Sequence, residues 1–288
     1  MPTTRYTHAV VNRIPQSLRT RLPTLDYDRA KRQHENYVQA LRDIGLDVIE
    51  MPADEDTPWC AFVDDTAFVC NGTAIITKPA EPERVKEVEA IRAVLKKEIG
   101  LPIVEVSDKS AKLHGSDILF TESIRYNCTQ SKNYCSKSRE FFIGITKWTN
   151  ESGACAVASA FPEYPCTPIK VTENKHLKTI VSMAGPDLMC VGSSDSSKNV
   201  LKRLEREATY SYQILTLPED EAANVMYING TLLHRSAKEI PLSFNVLAEK
   251  ITDFTLQSVD ISELLKCEGA NLNSCCLLVR RTKHIRSL

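Results

Sequence analysis

Short apolar runs typical of β-strands alternate along this chain with longer segments in which apolar residues recur every three or four positions. The pattern predicts a strand at 7–13, a helix at 26–44 that ends at Gly45, and a strand at 46–52. The apolar stripe of this helix consists of Tyr27, Ala30, Tyr37, Leu41 and Ile44. The chain therefore begins with the order strand, helix, strand.

The order strand, strand, helix, strand then follows four times. The first unit comprises 60–70, 73–79, 83–99 and 101–106, and the second comprises 116–121, 139–146, 151–161 and 167–171. The third comprises 179–185, 188–193, 195–207 and 212–218, and the fourth comprises 222–228, 231–235, 241–253 and 256–261. A fifth unit is complete if the apolar run at 274–281 joins the three elements at the start of the chain.

Five ββαβ units arranged in a ring allow the two ends of the chain to meet, as blades do in a propeller. The sequence therefore predicts one domain over 1–288, of the α/β class, built as a five-bladed α/β propeller with pseudo-five-fold symmetry. The alternative is an α/β sheet in which the order of elements resembles a repeat by chance.

The segment 122–138 interrupts this order. It is polar, lacks periodicity and stands between two strands that a short turn would otherwise join. We interpret it as a loop insertion, because closing a longer surface loop costs little additional entropy. Its Cys128 and Cys135 allow a disulfide or a metal pair, but the absence of further ligands at suitable spacing favours solvated thiols.

The composition is that of an ordinary globular protein. Of the 288 residues, 42% are hydrophobic and 25% are charged, which excludes a disordered chain. The 36 basic and 37 acidic residues nearly balance, which argues against nucleic acid as a partner. The sequence has neither an apolar run of roughly 18 residues nor the apolar stretch of a secretory signal, so we expect a cytoplasmic protein without a membrane partner.

Three places in the sequence carry residues with catalytic chemistry. Cys275 and Cys276 begin the last apolar run. Such a cysteine is either a nucleophile activated by nearby positive charge or a core residue. Asp64 and Asp65 interrupt another apolar run. Either at least one of the two carboxylates faces a cation or a cavity, or the pair marks a turn at the end of a strand. His176 precedes a strand and is either a general base or a satisfied surface histidine.

The propeller prediction changes the weight of these alternatives. All three places lie at or just before the first strand of a different unit, so a ring brings them to one axial opening. A thiol, an imidazole and two carboxylates around one opening suit a small cationic substrate.

These residues and their surroundings resemble the dimethylarginine dimethylaminohydrolases of the guanidino-group-modifying superfamily. The matching segments are THAVV at 7–11, RAKRQHENY at 29–37, MPADE at 51–55, FVDDTAFV at 62–69, SMAGP at 182–186, VGSSDS at 191–196, AAN at 222–224 and SCCLLV at 274–279. The resemblance implies the five-bladed propeller, or pentein, fold. It also implies hydrolysis of an N-omega-methylated arginine to citrulline and methylamine or dimethylamine, without a cofactor.

The resemblance assigns the reacting groups as well. It implies that Cys275 attacks the guanidinium carbon and that Cys276 is its structural neighbour. His176 would protonate the departing amine and then activate water.

The resemblance further implies a set of substrate-binding residues. Asp64 and Asp65 match the carboxylates that hold the guanidinium, and Arg84 matches an arginine that orients the substrate. Leu22 lies in the segment that matches a mobile lid, and Cys267 in the loop before the nucleophile.

The sequence departs from the family at several of its site positions. Trp59 replaces a substrate-binding aspartate, and Asp64 is one methylene shorter than the family's glutamate. In LHGSD, His114 stands where the family has the acidic residue that orients the catalytic histidine, and Ser116 replaces a glycine. Trp148 in KWTN replaces the arginine that holds the substrate carboxylate, and the loop before Cys275 is about two residues longer than the family's.

Two functional hypotheses follow from these matches and departures. The first is a dimethylargininase acting on a small methylated arginine, as a monomer or a homodimer. The second is a catalytically impaired homologue that binds an arginine-like ligand or a protein partner. The proposed reaction needs no metal, although a zinc ion on the Cys275 thiolate and His176 would inhibit it.

Overall fold

The computed structural model describes residues 5–121, 123–126 and 135–280 of the chain. Its strands are β1 His8–Asn12, β2 Asp47–Met51, β3 Ala67–Cys70, β4 Thr73–Ile76, β5 Ile103–Glu105, β6 Ile118–Phe120, β7 Ser123–Tyr126, β8 Cys135–Ser138, β9 Phe141–Ile145, β10 Cys166–Lys170, β11 Val181–Gly185, β12 Leu188–Gly192, β13 Gln213–Leu217, β14 Met226–Ile228, β15 Thr231–Arg235, β16 Thr255–Val259 and β17 Leu277–Val279.

The α-helices lie between these strands. They are α1 Ser17–Arg21, α2 Tyr27–Asp43, α3 Val85–Ala93, α4 Glu151–Ala160, α5 Leu177–Ile180, α6 Asp195–Glu207 and α7 Pro241–Lys250. A π-helical turn at Val94–Glu98 continues α3. Short 3-10 helices occupy Val63–Thr66, Pro82–Arg84, Gly115–Asp117, Asp220–Ala223 and Leu264–Lys266.

Five three-stranded sheets share one topology within the described residues. Their orders are β17-β1-β2, β3-β4-β5, β6-β9-β10, β11-β12-β13 and β14-β15-β16. In each sheet the central strand pairs antiparallel with the first strand and parallel with the third. A parallel pair needs a crossover connection, which the helix of each unit supplies. The first sheet joins β17 near the C-terminus to β1 and β2, as the split fifth unit predicted.

The first strands of the five sheets surround one central cavity of about 330 Å³. Its walls include residues of β3, β6, β11, β14 and β17, which are Phe68, Ile118, Met183, Met226 and Leu277 in that order. One wall residue from each sheet requires a ring of sheets around a shared axis. The prediction of a five-bladed α/β propeller is therefore confirmed.

The longer helices α2, α3, α4, α6 and α7 each bury an apolar face against the sheets. In α6, Val200 and Leu204 are buried among residues of neighbouring sheets. Its first turn is capped by Ser194, whose Oγ accepts a hydrogen bond from Ser197 N at 3.2 Å. Both ends of this helix agree with the sequence prediction for 195–207. No helix among the described residues has the length and apolar character required to cross a bilayer.

The structure differs from the sequence prediction in several segments, because helical turns also occupy the start of the predicted strands 116–121, 179–185 and 222–228. Two further differences concern the aspartate pair and the insertion. The prediction of one strand over 60–70 is wrong, because 63–66 form a 3-10 helix whose two carboxylates face buried partners and the strand begins only at Ala67. Within 122–138, β7 and β8 pair as an antiparallel ribbon, so this segment is not a loop throughout. Cys128 and the side chain of Cys135 lie outside the described residues.

Candidate active site

Cys275 ends a tight turn directly before β17. The side chain of Asn271 organises this turn, since its Oδ1 accepts hydrogen bonds from Asn273 N and Ser274 N, each at 3.0 Å. Ser274 O in turn accepts a hydrogen bond from Asp64 N at 3.1 Å. The turn therefore fixes Cys275 against the 3-10 helix that carries the two aspartates.

The Cys275 thiol is fully buried. Burial raises its pKa well above the usual range, and the neighbouring Cys276, Cys267 and Asp65 raise it further. Cys276 faces the core, where its Sγ accepts a hydrogen bond from Tyr37 OH at 3.2 Å. Without a bound cation, Cys275 is therefore a neutral thiol at neutral pH.

His176 lies directly before α5 and is buried. Its Nδ1 is 3.0 Å from Asp117 Oδ2, an ion-pair distance. Asp117 Oδ1 accepts a hydrogen bond from Leu177 N at 3.0 Å, so the same carboxylate fixes the backbone that carries the ring. This arrangement orients the imidazole for proton transfer.

Asp117 is the site residue that our sequence reasoning missed. It is the last residue of the LHGSD segment, in which we examined only His114 and Ser116 for their departure from the family. Its Oδ2 also accepts hydrogen bonds from Thr146 Oγ1 at 2.8 Å and Thr149 Oγ1 at 2.7 Å. A carboxylate thus supports the His176 ring although position 114 is a histidine.

Asp65 is the central charge of the site. Its Oδ2 accepts a hydrogen bond from Arg84 Nη1 at 2.9 Å. Burial alone would raise the pKa of this carboxyl, but His114, Arg84 and His176 hold it well below its usual range. The charge of Asp65 also raises the pKa of the Cys275 thiol.

Arg84 is committed to the protein rather than free for a ligand. Besides Asp65, it donates to Glu87 Oε2 at 2.8 Å and to Phe62 O at 3.0 Å. Burial opposes its charge, but Asp65 and Glu87 raise its pKa, so the guanidinium stays charged. The geometry makes Arg84 a residue that positions Asp65.

Asp64 faces the axial cavity, unlike Asp65. Its Oδ2 accepts from Lys178 Nζ at 2.7 Å and from Ser116 Oγ at 3.3 Å. Asp64, Lys178 and Cys276 line the 330 Å³ cavity, whereas Cys275, His176 and Asp65 do not. The axial cavity is therefore not the place where the predicted catalytic residues meet.

His114 lies between two carboxylates. Its Nε2 is 3.2 Å from Glu81 Oε2, and its Nδ1 is 3.7 Å from Asp65 Oδ1. Burial works against its protonation, but Asp65 and Glu81 raise the pKa of the ring to about 9. One atom each of Asp65, His114 and His176 lie within 4.8 Å of one another, a spacing that a metal ion can bridge.

The two tryptophans of the sequence occupy different surroundings. Trp148 is buried and stacks on His176 with 4.1 Å between ring centroids, while Lys147 Nζ lies 4.3 Å from its ring centre. Trp59 is half-buried, and its Nε1 donates a hydrogen bond to Glu83 Oε1 at 2.8 Å. Because Trp148 is already stacked, it supports His176 and is not free to stack on a ligand.

The two remaining predicted residues border the site. Cys267 is buried, and burial raises the pKa of its thiol to about 12. Leu22 follows α1 and packs against the core cluster that contains Cys275 and Cys276. Gly269 passes so close to His176 that a Cβ there would lie 3.0 Å from the ring's Nε2, which explains a glycine at this position.

Known proteins resemble this chain over nearly its full length. No protein-family model matches it. DDAH2 of Bos taurus is 35% identical over 294 residues, which cover 97% of this chain and 96% of the relative. The N(G),N(G)-dimethylarginine dimethylaminohydrolase of Pseudomonas aeruginosa is 25% identical over 251 residues, with 85% and 86% coverage.

Solved structures show the same fold at lower identity. The Pseudomonas aeruginosa DDAH, solved as a cysteine-to-serine mutant complexed with citrulline, superposes with a TM-score of 0.74 at 20% identity, over 96% of this chain and 100% of that one. The N-terminal domain of ArgZ, covalently bound to a reaction intermediate, gives a TM-score of 0.72 at 14% identity, over 95% and 98%.

Proposed function

The chain belongs to the dimethylarginine dimethylaminohydrolase family, and we propose that it hydrolyses an N-omega-methylated arginine to citrulline and methylamine or dimethylamine. Within the site, the contact between His176 and Asp117 carries the proposal. It supplies an oriented base that shares Asp65 as an electrostatic neighbour with the Cys275 thiol.

The first half of the reaction forms a covalent intermediate. Cys275 Sγ attacks the central carbon of the substrate guanidinium, and a carbon–sulfur bond forms. His176 donates a proton to the methylated nitrogen, so that methylamine or dimethylamine leaves as a neutral amine. The product of this half is a thiouronium on Cys275.

The second half regenerates the enzyme. His176, now neutral, takes a proton from a water molecule as its oxygen attacks the thiouronium carbon. The carbon–sulfur bond then breaks, the remaining proton of the added hydroxyl passes to the departing Cys275 sulfur, and the carbonyl of citrulline remains beside a neutral thiol. Throughout, Asp117 stabilises the positive form of His176.

Substrate charge activates the nucleophile. Burial keeps Cys275 protonated, but a guanidinium bound beside it adds a positive charge that favours the thiolate. The free enzyme therefore holds the thiol in its neutral form until substrate arrives.

We predict that Cys275 reacts faster with a small neutral alkylating agent as the pH rises from neutrality to above about pH 9. Burial raises the pKa of the free thiol, so the reactive thiolate is scarce at neutral pH and its fraction grows as the pH increases. Alkylation of the Cys275 peptide is followed by mass spectrometry, over a pH range in which circular dichroism shows that the protein stays folded, because kcat/KM also depends on the proton that His176 donates. An alkylation rate that is flat or falls above neutrality would contradict the raised thiol pKa.

Trp148 should make the enzyme indifferent to the substrate carboxylate. A buried arginine clamp on a carboxylate contributes about 2–5 kcal/mol, and no such contact is available from an indole. We expect kcat/KM to differ by less than about tenfold between asymmetric dimethylarginine and its decarboxylated analogue. Citrulline-type product release from both compounds tests the proposed function and this selectivity together.

Two variants of Trp148 sharpen that experiment. Trp148→Arg should raise the preference for the carboxylate-bearing compound, while Trp148→Phe, which keeps an aromatic ring without a charge, should not. A strong preference for the carboxylate in the unmodified protein would show that another residue binds it.

His114 favours a second candidate function, a catalytically impaired homologue that binds an arginine-like ligand. The ring occupies the space between Asp65 and Glu81, and Lys178 and Arg84 already pair with Asp64 and Asp65. An incoming guanidinium must compete with these internal groups for the carboxylates. Binding of methylated arginine without citrulline release, with equal traces from the unmodified protein and Cys275→Ser, would select this candidate.

A further inference from the structure

The predicted catalytic groups are closed to solvent in this structure. Cys275 has no exposed surface, and His176 and Asp65 are 1% and 5% exposed. None of the three lines the axial cavity. Because Cys275 Sγ must come within bonding distance of a guanidinium carbon, the proposed reaction requires a segment of the protein to move aside.

The turn at 267–270 covers one nitrogen of the His176 ring. Asp117 lies 3.0 Å from Nδ1, which leaves Nε2 to exchange a proton with a substrate. Gly269 lies directly against this nitrogen, since a Cβ on the glycine would stand 3.0 Å from His176 Nε2 and 3.1 Å from Trp148 Cζ2. The turn therefore separates the predicted base from any ligand on that side.

This turn has buried ends and an exposed middle. It is closed by a hydrogen bond from Ala270 N to Cys267 O at 3.1 Å, and the φ of 79° at Gly269 suits the third residue of a type II turn. Cys267 at its start and Asn271 directly after it are buried, whereas the side chain of Glu268 is 62% exposed. A short segment with little buried surface opens at a low free energy, and its two buried ends supply the hinges.

The carboxylate of Glu268 fastens the turn to two other loops. Its Oε1 accepts hydrogen bonds from Lys147 Nζ and from Asn174 Nδ2. Lys147 Nζ also lies 4.3 Å from the ring centre of Trp148, which stacks on His176. An indole face attracts a cation, so Lys147 is held from both sides. The turn is thus fastened to the same aromatic stack that supports the predicted base.

We propose that the turn at 267–270 is a gate over His176 and Cys275. Glu268 keeps the gate closed through its ion pair with Lys147. An exposed ion pair contributes little free energy, so the closed state is favoured without being permanent. The role of the gate rests on the proposed function, because a covered base matters only if a substrate has to reach it. The accessibility of Cys275 is measured without turnover and tests the gate by itself.

The anchor of this gate depends on a residue at which the chain departs from its family. The family has an arginine at the position of Trp148. An arginine there would repel the ammonium group of Lys147, whereas the indole face attracts it. The gate is therefore expected in this chain rather than throughout the family.

The gate is tested by the rate at which iodoacetamide alkylates Cys275 in the substrate-free protein at constant pH, assigned to single cysteines by fragmentation mass spectrometry. Glu268→Ala removes the carboxylate, so alkylation of Cys275 should become about three- to tenfold faster. Lys147→Met should also increase the rate, and the double variant should not exceed Glu268→Ala, because both residues act through one contact. Glu105→Ala, which breaks an exposed ion pair with Arg92 on another blade, is the matched control and should change the rate by less than about twofold.

Two other cysteines distinguish local opening from unfolding. Cys267 lies in the gate, so its alkylation should rise together with that of Cys275. Cys190 is fully buried in the central strand of another sheet and should stay unreactive. A parallel rise of Cys190 would show that the substitution loosens the whole protein, and would count against a gate.

The remaining outcomes also decide the question. Unchanged alkylation in both Glu268→Ala and Lys147→Met overturns the gate. Faster alkylation in Glu268→Ala but slower alkylation in Lys147→Met would show that the charges act only on the thiol pKa, and overturns it as well. Faster alkylation of Cys275 in both variants without citrulline release from any form of the protein would support the gate and reject the proposed hydrolysis.

Discussion

Replacing Cys275 with serine should lower kcat for citrulline release by a factor of about 10³ or more, because a hydroxyl cannot supply the thiolate that attacks the guanidinium carbon. The substitution removes only the sulfur from a turn held by Asn271 and Ser274, so the turn should persist. KM should change little, since the carboxylates and His176 remain in place. The measurement is steady-state citrulline release from asymmetric dimethylarginine.

Cys276→Ser is the matched control for this experiment. Cys276 is equally buried, but its thiol accepts a hydrogen bond from Tyr37 OH and lines the axial cavity. A serine there keeps a hydrogen-bond acceptor, and kcat should stay within about tenfold of the unmodified protein. A larger loss in Cys276→Ser than in Cys275→Ser would reverse the assignment of the nucleophile.

Replacing His114 with aspartate should raise kcat/KM for dimethylarginine by about ten- to a hundredfold. A carboxylate about 4 Å from a guanidinium attracts it by several kcal/mol at an intermediate dielectric constant. The cost of desolvating the two charges cancels part of this attraction. A protonated imidazole at the same place repels the substrate, and a neutral one offers it no charge. The variant also returns the residue type that the family has at this position.

His114→Asn separates charge from shape in this prediction. It removes the ring without adding a negative charge, so its kcat/KM should stay well below that of His114→Asp. The two variants are compared at equal fractions of folded protein, determined from thermal unfolding. A gain of the same size in both would show that the ring blocks the site sterically, and no gain in either would show that His114 does not limit the reaction.

The sequence predicted most of the fold because the elements are short and strongly patterned. The apolar faces of 26–44 and 195–207 are typical of amphipathic helices. The apolar run at 274–281 lacks neighbouring strands of its own, so it predicts pairing with the strands at the start of the chain and closure of the ring. The prediction failed at 60–70, where every residue but the two aspartates and a threonine is apolar. The conformation of this segment depends on residues distant in sequence, since Arg84 pairs with Asp65 and Lys178 pairs with Asp64 in different directions.

The site was predicted less completely than the fold. The resemblance predicts Cys275, His176 and Asp65 as site residues, and the structure brings His176 and Asp65 together with His114. Asp117 was not predicted, because the resemblance places the orienting carboxylate at position 114, where this chain has a histidine. The stacking of Trp148 on His176 depends on two loops distant in sequence, and no spacing rule reveals it.

Mass spectrometry of the protein, quenched in acid during turnover of dimethylarginine, tests the central claim most directly. The account predicts a mass increase on the peptide that contains Cys275, equal to that of the thiouronium intermediate, and none in Cys275→Ser. A peptide that stays unmodified while citrulline accumulates, or an adduct on Cys276 instead, would contradict it.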